Sequence, residues 1–166
     1  VRMEGICKSF GSVRALDSVN MDIPLGEIRA LVGENVAGKT TLMTILYGMY
    51  RPDAGRMIVW GRETGRDWSP RQAIMARIGM IHQHFSLIPN HSVLENVLMP
   101  QLRWTHVRPR WYRHRAVLER LCEEYGLSFP LEARVESLSV GQQQQVEILK
   151  LLYQGASLLI LDEVGR

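Results

Sequence analysis

One eight-residue stretch, Gly33-Glu34-Asn35-Val36-Ala37-Gly38-Lys39-Thr40, restricts the fold more than any other part of the chain, because it meets the spacing G-x-x-x-x-G-K-[ST]. Its context fits. The apolar run from Ile28 to Val32 reads as a strand before it, and Thr41, Leu42, Ile45, Leu46 and Met49 repeat at helical spacing after it. Strand, glycine loop and helix in this order predict that the backbone N–H groups of Ala37 to Thr41 turn toward phosphate at the positive end of the helix. Lys39 then neutralises charge on β- and γ-phosphates, Thr40 offers a hydroxyl to Mg2+, and Thr41 hydrogen-bonds the α-phosphate. The plainer alternative is a glycine turn that only joins a strand to a helix. Val36 stands where glycine is common, and a β-branched residue held at positive φ costs on the order of 1–3 kcal/mol. Either the loop keeps negative φ there, or nucleotide affinity suffers.

Around this loop the chain alternates between strand and helix signals. Met3 to Cys7, Val19 to Ile23 and Met57 to Trp60 read as short strands, separated by turns at Pro24, Gly26 and Pro52-Asp53-Ala54-Gly55. Arg77 to His82 is a further strand. From about Ser92 to Tyr153 the pattern is helical: Val117, Leu118, Leu121, Cys122 and Tyr125 share one face, with Gly126 at its C-terminal end. A second helix starts near Gly141, turns Val146, Leu149 and Leu152 or Tyr153 inward, and ends at Gly155. Ser157 to Leu161 is a mainly apolar run, poor in β-branched residues, that fits a buried parallel strand. The expected fold is α/β, with residues 1–84 and 151–166 as core and about 85–150 as an inserted helical subdomain of one domain, 1–166.

Composition removes several function classes. In 166 residues, 46% hydrophobic and 22% charged content argues against disordered, collagen-like and coiled-coil chains. Twenty basic against 17 acidic residues leave a formal charge of +3, which permits contact with phosphates or lipid head groups without demanding either. Cys7 and Cys122 form no metal-binding spacing and no disulfide framework, which suits a reducing cytosol. No apolar run approaches the roughly 18 residues that span a bilayer, so any service to a membrane comes from outside it.

Three further stretches carry chemistry. Leu158-Leu159-Ile160-Leu161-Asp162-Glu163 is an apolar strand ending in two carboxylates: Asp162 suits Mg2+ held through water, and Glu163 suits a general base for an attacking water. Leu138-Ser139-Val140-Gly141-Gln142 opens a helix and makes a second anion site, or else Ser139 is an ordinary N-cap before a polar first turn. Gln83, just past a strand, can hold a water and a metal.

Together, and in this order, these stretches resemble the ATP-binding subunit of an ABC transporter. Gly33 to Thr41 resembles Walker A, Gln83 the Q-loop, Leu138 to Gln142 the signature motif, and Asp162 with Glu163 Walker B. Phe10, in Lys8-Ser9-Phe10-Gly11, resembles the aromatic that stacks on adenine, the alternative being an ordinary half-buried Phe. Met80 to Phe85, Leu138 to Gln144 and Val146 to Lys150 look most like importers of simple sugars and nucleosides, in which two ATPase domains often share a chain. The resemblance implies a P-loop NTPase core with N-terminal antiparallel strands, and ATP and Mg2+ bound by Phe10, Gly33, Glu34, Asn35, Val36, Ala37, Gly38, Lys39, Thr40, Thr41, Gln83 and Asp162. Glu163 and Gln83 take the catalytic roles. Ser139, Val140, Gly141 and Gln142 are implied to face ATP held by a second ATPase domain, in the same chain or in a dimer. Transmembrane permease subunits and, indirectly, a solute-binding protein are the implied partners, at the cytoplasmic face of the membrane. Gln145 and Val164-Gly165 depart from the family pattern. The family's D-loop and H-loop are expected beyond Arg166, with a strand that inserts between the Walker A and Walker B strands; without it two inner edges stay unpaired.

Two features are set aside. The stretch from Arg103 to Arg115 mixes arginine with Trp104, Trp111 and Tyr112, a composition that suits nucleic acid; a solvated basic loop explains it more simply, contact with membrane subunits or lipid head groups is the next alternative, and no nucleic acid is expected. His82, His84 and His91 lie around a strand end and are not read as metal ligands. Two alternatives to ATP-driven solute import stay open: a fragment that binds ATP without hydrolysing it, and a non-transport ATPase with the same motifs. In the latter a long coiled coil usually separates the Q-loop from the signature, and Pro89, Pro100, Pro109 and Pro130 leave no space for one.

Overall fold

The protein is described from a computed structural model covering residues 1–33, 38–81, 86–99 and 111–162. It divides into two compact units, Val1–Ile78 and Gly79–Arg166.

The first unit is built on an antiparallel hairpin of β1 (Arg2–Phe10) and β2 (Val13–Asp22), in which Met3 faces Met21 and Phe10 faces Val13. These strands run longer than the apolar runs at Met3 to Cys7 and Val19 to Ile23, because hydrogen bonding carries the ladder through polar residues. A register shift between Met3 and Ile6, at Gly5, adds a residue to β1. The bulge moves the inward positions from odd to even numbers, so Met3 and Ile6 are both fully buried. β3 (Ala54–Val59) pairs with the other edge of β1, and the two-residue β4 (Arg62–Glu63) completes a sheet of order β2-β1-β3-β4. Helix α1 (Lys39–Leu46) buries Leu42, Ile45 and Leu46, and the buried residues Leu16, Met57, Val59 and Ala73 complete the apolar interior of this unit. A shorter helix, α2 (Pro70–Met75), has proline in its first turn, where no N–H is missed. The indole N–H of Trp68 donates to the Leu46 carbonyl at 3.0 Å, satisfying one of the acceptors that the end of α1 leaves open.

The strand expected at Ile28 to Val32 does not form. The segment pairs with no strand among the described residues, and Ile28 and Val32 are almost fully exposed. A strand exists through hydrogen bonds to a neighbour, which apolar content cannot supply.

In the second unit β5 (Ile78–Ile81) and β6 (Leu158–Leu161) form a two-stranded sheet. Between them lie α3 (Val93–Leu98), α4 (Trp111–Tyr125), a 3-10 turn at Val135–Ser137 and α5 (Val140–Tyr153). Leu127 to Arg134, read as part of a helical stretch, is irregular and leans on α3: the N–H of Val93 donates to the Ala133 carbonyl at 3.0 Å and that of Leu94 to the Leu131 carbonyl at 2.9 Å. The helices close over Val93, Val97, Leu98, Leu118, Leu131, Val135, Leu138, Val146 and Leu149.

Leu149 is fully buried at the centre of that cluster, whereas Val140 is largely exposed. Leu149→Ala is expected to lower the unfolding free energy by about 2–5 kcal/mol and Val140→Ala by less than about 0.5 kcal/mol in urea titrations. Equal costs would contradict this packing.

Candidate nucleotide site

The phosphate loop meets α1 at Gly38, which has φ 74° and ψ 7°. Left-handed backbone is cheap only for glycine. A Cβ there would also lie 2.4 Å from the Ala15 carbonyl oxygen and 2.7 Å from Leu16 Cδ2, both on β2. Two constraints therefore demand the same residue, and they seat the start of α1 directly on the sheet. Nothing from the N-cap covers that start, since Gly38 has no side chain and the first turn of α1 contains no acidic residue. Lys39, the first residue of the helix, folds its ammonium back to donate to the Gly33 carbonyl. Thr40 is exposed and Thr41 half-buried. The cradle fits a polyphosphate: a helix start that only glycine permits, a lysine bent across it and two adjacent hydroxyls. Glu34, Asn35, Val36 and Ala37 lie outside the described residues.

Phe10, at the tip of the β1–β2 hairpin, is 43% exposed, which fits both a ring open to a stacking partner and an ordinary half-buried aromatic. Its ring meets Tyr50 edge to face with centroids 5.3 Å apart, and the Lys8 ammonium stands 5.6 Å from its centroid. Lys8 is held by Asp53 Oδ1 at 2.9 Å, while Asp53 Oδ2 accepts the Ser9 N–H at 2.7 Å. The Lys8 and Ser9 donors keep the Asp53 carboxyl below its usual range. Tyr50 was not singled out from the sequence, where a lone tyrosine after a helix carries no signal. Only the fold brings it against Phe10.

Asp162 and the exit toward Gln83 belong to the second unit. The Asp162 N–H donates to the Ile81 carbonyl at 3.2 Å, so the end of β6 that leads to Glu163 lies beside the end of β5 that leads to Gln83. Asp162 is half-buried; Gln83 and Glu163 themselves lie outside the described residues.

Ser139 is the N-cap of α5 and forms a capping box with Gln142: the Gln142 N–H donates to Ser139 Oγ at 3.3 Å, and Gln142 Oε1 accepts the Ser139 N–H at 3.1 Å. The ordinary N-cap reading of Ser139 is thus realised, and the Gln142 amide is engaged further by donating to the Ser128 carbonyl at 3.2 Å. Val140 and Gly141 remain exposed. Unlike Gly38, Gly141 has open space around a notional Cβ, so nothing described in this chain requires a glycine there.

Comparison with known proteins shows which family the chain is similar to. The family described as ABC transporter matches residues 16–165. The nucleoside import ATP-binding protein NupA of Lactococcus lactis is 43% identical over 163 residues, covering 98% of this chain and 32% of that protein. A guanosine import ATP-binding protein of Bacillus subtilis is 40% identical, and a ribose import ATP-binding protein of Burkholderia ambifaria 43% identical. The chain spans about a third of the length of these curated relatives. Among solved structures, a nucleotide-free ATP-binding cassette from an ABC transporter superposes with a TM-score of 0.84 at 24% identity, over 99% of this chain and 69% of that one. A dimeric cassette in a post-hydrolysis state bound to ADP and Pi gives 0.72 at 25% identity, over 97% of this chain and 72% of that one.

Because Gly38 is doubly constrained, Gly38→Ala is expected to weaken binding of a fluorescent ATP analogue by about tenfold or more. Gly141→Ala, which meets no such clash, should leave the unfolding free energy within about 1 kcal/mol of wild type. Unchanged affinity in the Gly38 variant would refute the cradle.

Proposed function

The chain belongs to the ABC transporter family, and from that premise we propose that it binds and hydrolyses ATP to drive import of a small solute, a sugar or a nucleoside. The observation that carries the proposal is the seating of Gly38 and Lys39 at the start of α1, a geometry suited to an anion such as a polyphosphate. In this reading Phe10 stacks on the adenine and residues 33–41 wrap the phosphates. Thr40, Asp162 and Gln83 would hold Mg2+, whose positive charge would offset the negative charge of the phosphate oxygens. Glu163 accepts a proton from the attacking water, and Gln83 orients that water.

Ser139, Val140, Gly141 and Gln142 are assigned to ATP on a second ATPase domain. Open space around Gly141 supports this, since a glycine that its own chain does not need makes sense as clearance for a partner's phosphate. The dimeric cassette to which the chain is similar supports pairing as well. The division into a core of 1–84 and 151–166 with a helical insertion of about 85–150 belongs to the same proposal. So do association with permease subunits at the cytoplasmic face of the membrane and the indirect part of a solute-binding protein. No described helix is long and apolar enough to cross a membrane, which is compatible with a peripheral place.

In the full-length ATPase, Lys39→Ala is expected to abolish ATP binding, while Glu163→Gln keeps binding and lowers turnover by about 100-fold or more. Phosphate release and nucleotide titration read the two effects separately. Full turnover in the Glu163→Gln protein would remove the general-base assignment, and ATP affinity unaffected by Lys39→Ala would remove the reading altogether.

A further inference from the structure

A carboxylate buried in the second unit has no part in the chemistry above. Glu147, on α5, is 5% exposed, and a carboxylate at such depth needs its oxygens bonded or paired. Its Oε1 accepts the backbone N–H of Ser86 at 2.7 Å and the Ser86 hydroxyl at 3.1 Å. Lys150, one helical turn on, donates to Glu147 Oε2 at 3.4 Å and to Ser86 Oγ at 2.9 Å. Both acidic oxygens, the hydroxyl and the ammonium therefore close one ring, and its anchor is the third residue after Gln83.

The chain that follows Ser86 is held by a second, local staple. Asn96 on α3, 5% exposed, accepts the Ile88 N–H at 2.7 Å and donates to the carbonyls of Ile88 and Ser92, each at 3.0 Å. Those bonds stay within a few residues of sequence. The bond from Ser86 to Glu147 bridges 61 positions and joins two stretches to which different chemistry has been assigned. Stability alone does not call for an ion pair here, since apolar side chains of similar volume commonly serve as well. What hydrogen bonds to a carboxylate add is direction, and they set where Ser86 sits relative to α5.

We propose that Glu147 is a positioning residue: it ties the chain leaving Gln83 to the helix that begins at Ser139, so that a displacement of either is passed to the other. The roles of Gln83 and Ser139 in this statement rest on the ATPase reading. Lys150 holds Glu147 and Ser86 in register, and Ser86 is the receiving end.

The test uses the full-length ATPase with Glu147→Ala, Glu147→Gln and Ser86→Ala. Loss of the carboxylate is expected to lower kcat about tenfold and to raise the Mg2+ concentration for half-maximal turnover, with KM for ATP within about twofold. Glu147→Gln keeps an acceptor for Ser86 and should stay within about threefold of wild type; Ser86→Ala, which keeps the backbone bond, should fall between. Amide exchange of peptides spanning Ser86 should quicken about tenfold in Glu147→Ala and little in Glu147→Gln. Wild-type kinetics in Glu147→Ala, or unchanged exchange at Ser86, would overturn the proposal, as would KM for ATP rising in step with the loss of kcat. If Glu147→Ala does not fold, the contrast between Glu147→Gln and Ser86→Ala decides, and equality of both with wild type overturns it. If wild type shows no turnover above a Lys39→Ala control, the ATPase reading has failed, and the exchange experiment alone decides whether the tie exists.

Discussion

Everything assigned to the phosphate loop depends on one close approach, that of Gly38 to the carbonyl of Ala15 on β2. At φ 74° the chain can turn from the loop into α1 without a side chain, and the missing Cβ lets the helix start rest on the strand. The bulge at Gly5 and the pairing of β1 with both β2 and β3 hold that strand in place. Leu42, Ile45 and Leu46 bury the other side of α1. Lys39 follows Gly38 directly, so the residue that permits the turn also sets where the lysine begins.

The second unit meets a different problem, which is to bury a turn-rich chain without stranding its polar groups. Two capping boxes, at Ser92 with Glu95 and at Ser139 with Gln142, satisfy the first turns of α3 and α5. Bonds from the Ser92 N–H and hydroxyl keep the Glu95 carboxyl below its usual range, so the box at Ser92 is strongest with Glu95 ionised. Asn96 and Glu147 take up donors and acceptors of the segment 86–92. These side chains are polar, buried and fully engaged, and they specify one arrangement of the helices where an apolar core would allow several.

Much of the fold was legible because it rests on local rules. Gly126 ends α4 with φ 65°, as a left-handed C-cap predicts, and the apolar faces of α4 and α5 carry Leu118, Val146 and Leu149 into one core. The motif order was legible too, since glycine, lysine and paired carboxylates at fixed spacing have few other uses. What sequence could not supply was pairing. Ile28 to Val32 has the composition of a strand and no partner among the described residues, so it stays irregular and exposed. The contacts of Tyr50 with Phe10 and of Glu147 with Ser86 are invisible for the same reason, because they join residues far apart in the chain.

In the proposed reading this chain grips a nucleotide by its terminal phosphates at the start of α1, with the base held more weakly at Phe10. Measuring the affinities of ATP and AMP for the same protein in the presence of Mg2+ tests it most directly. The account predicts ATP tighter than AMP by about 100-fold or more, because AMP lacks the β- and γ-phosphates that Lys39 and the helix start hold. Equal affinities would contradict it.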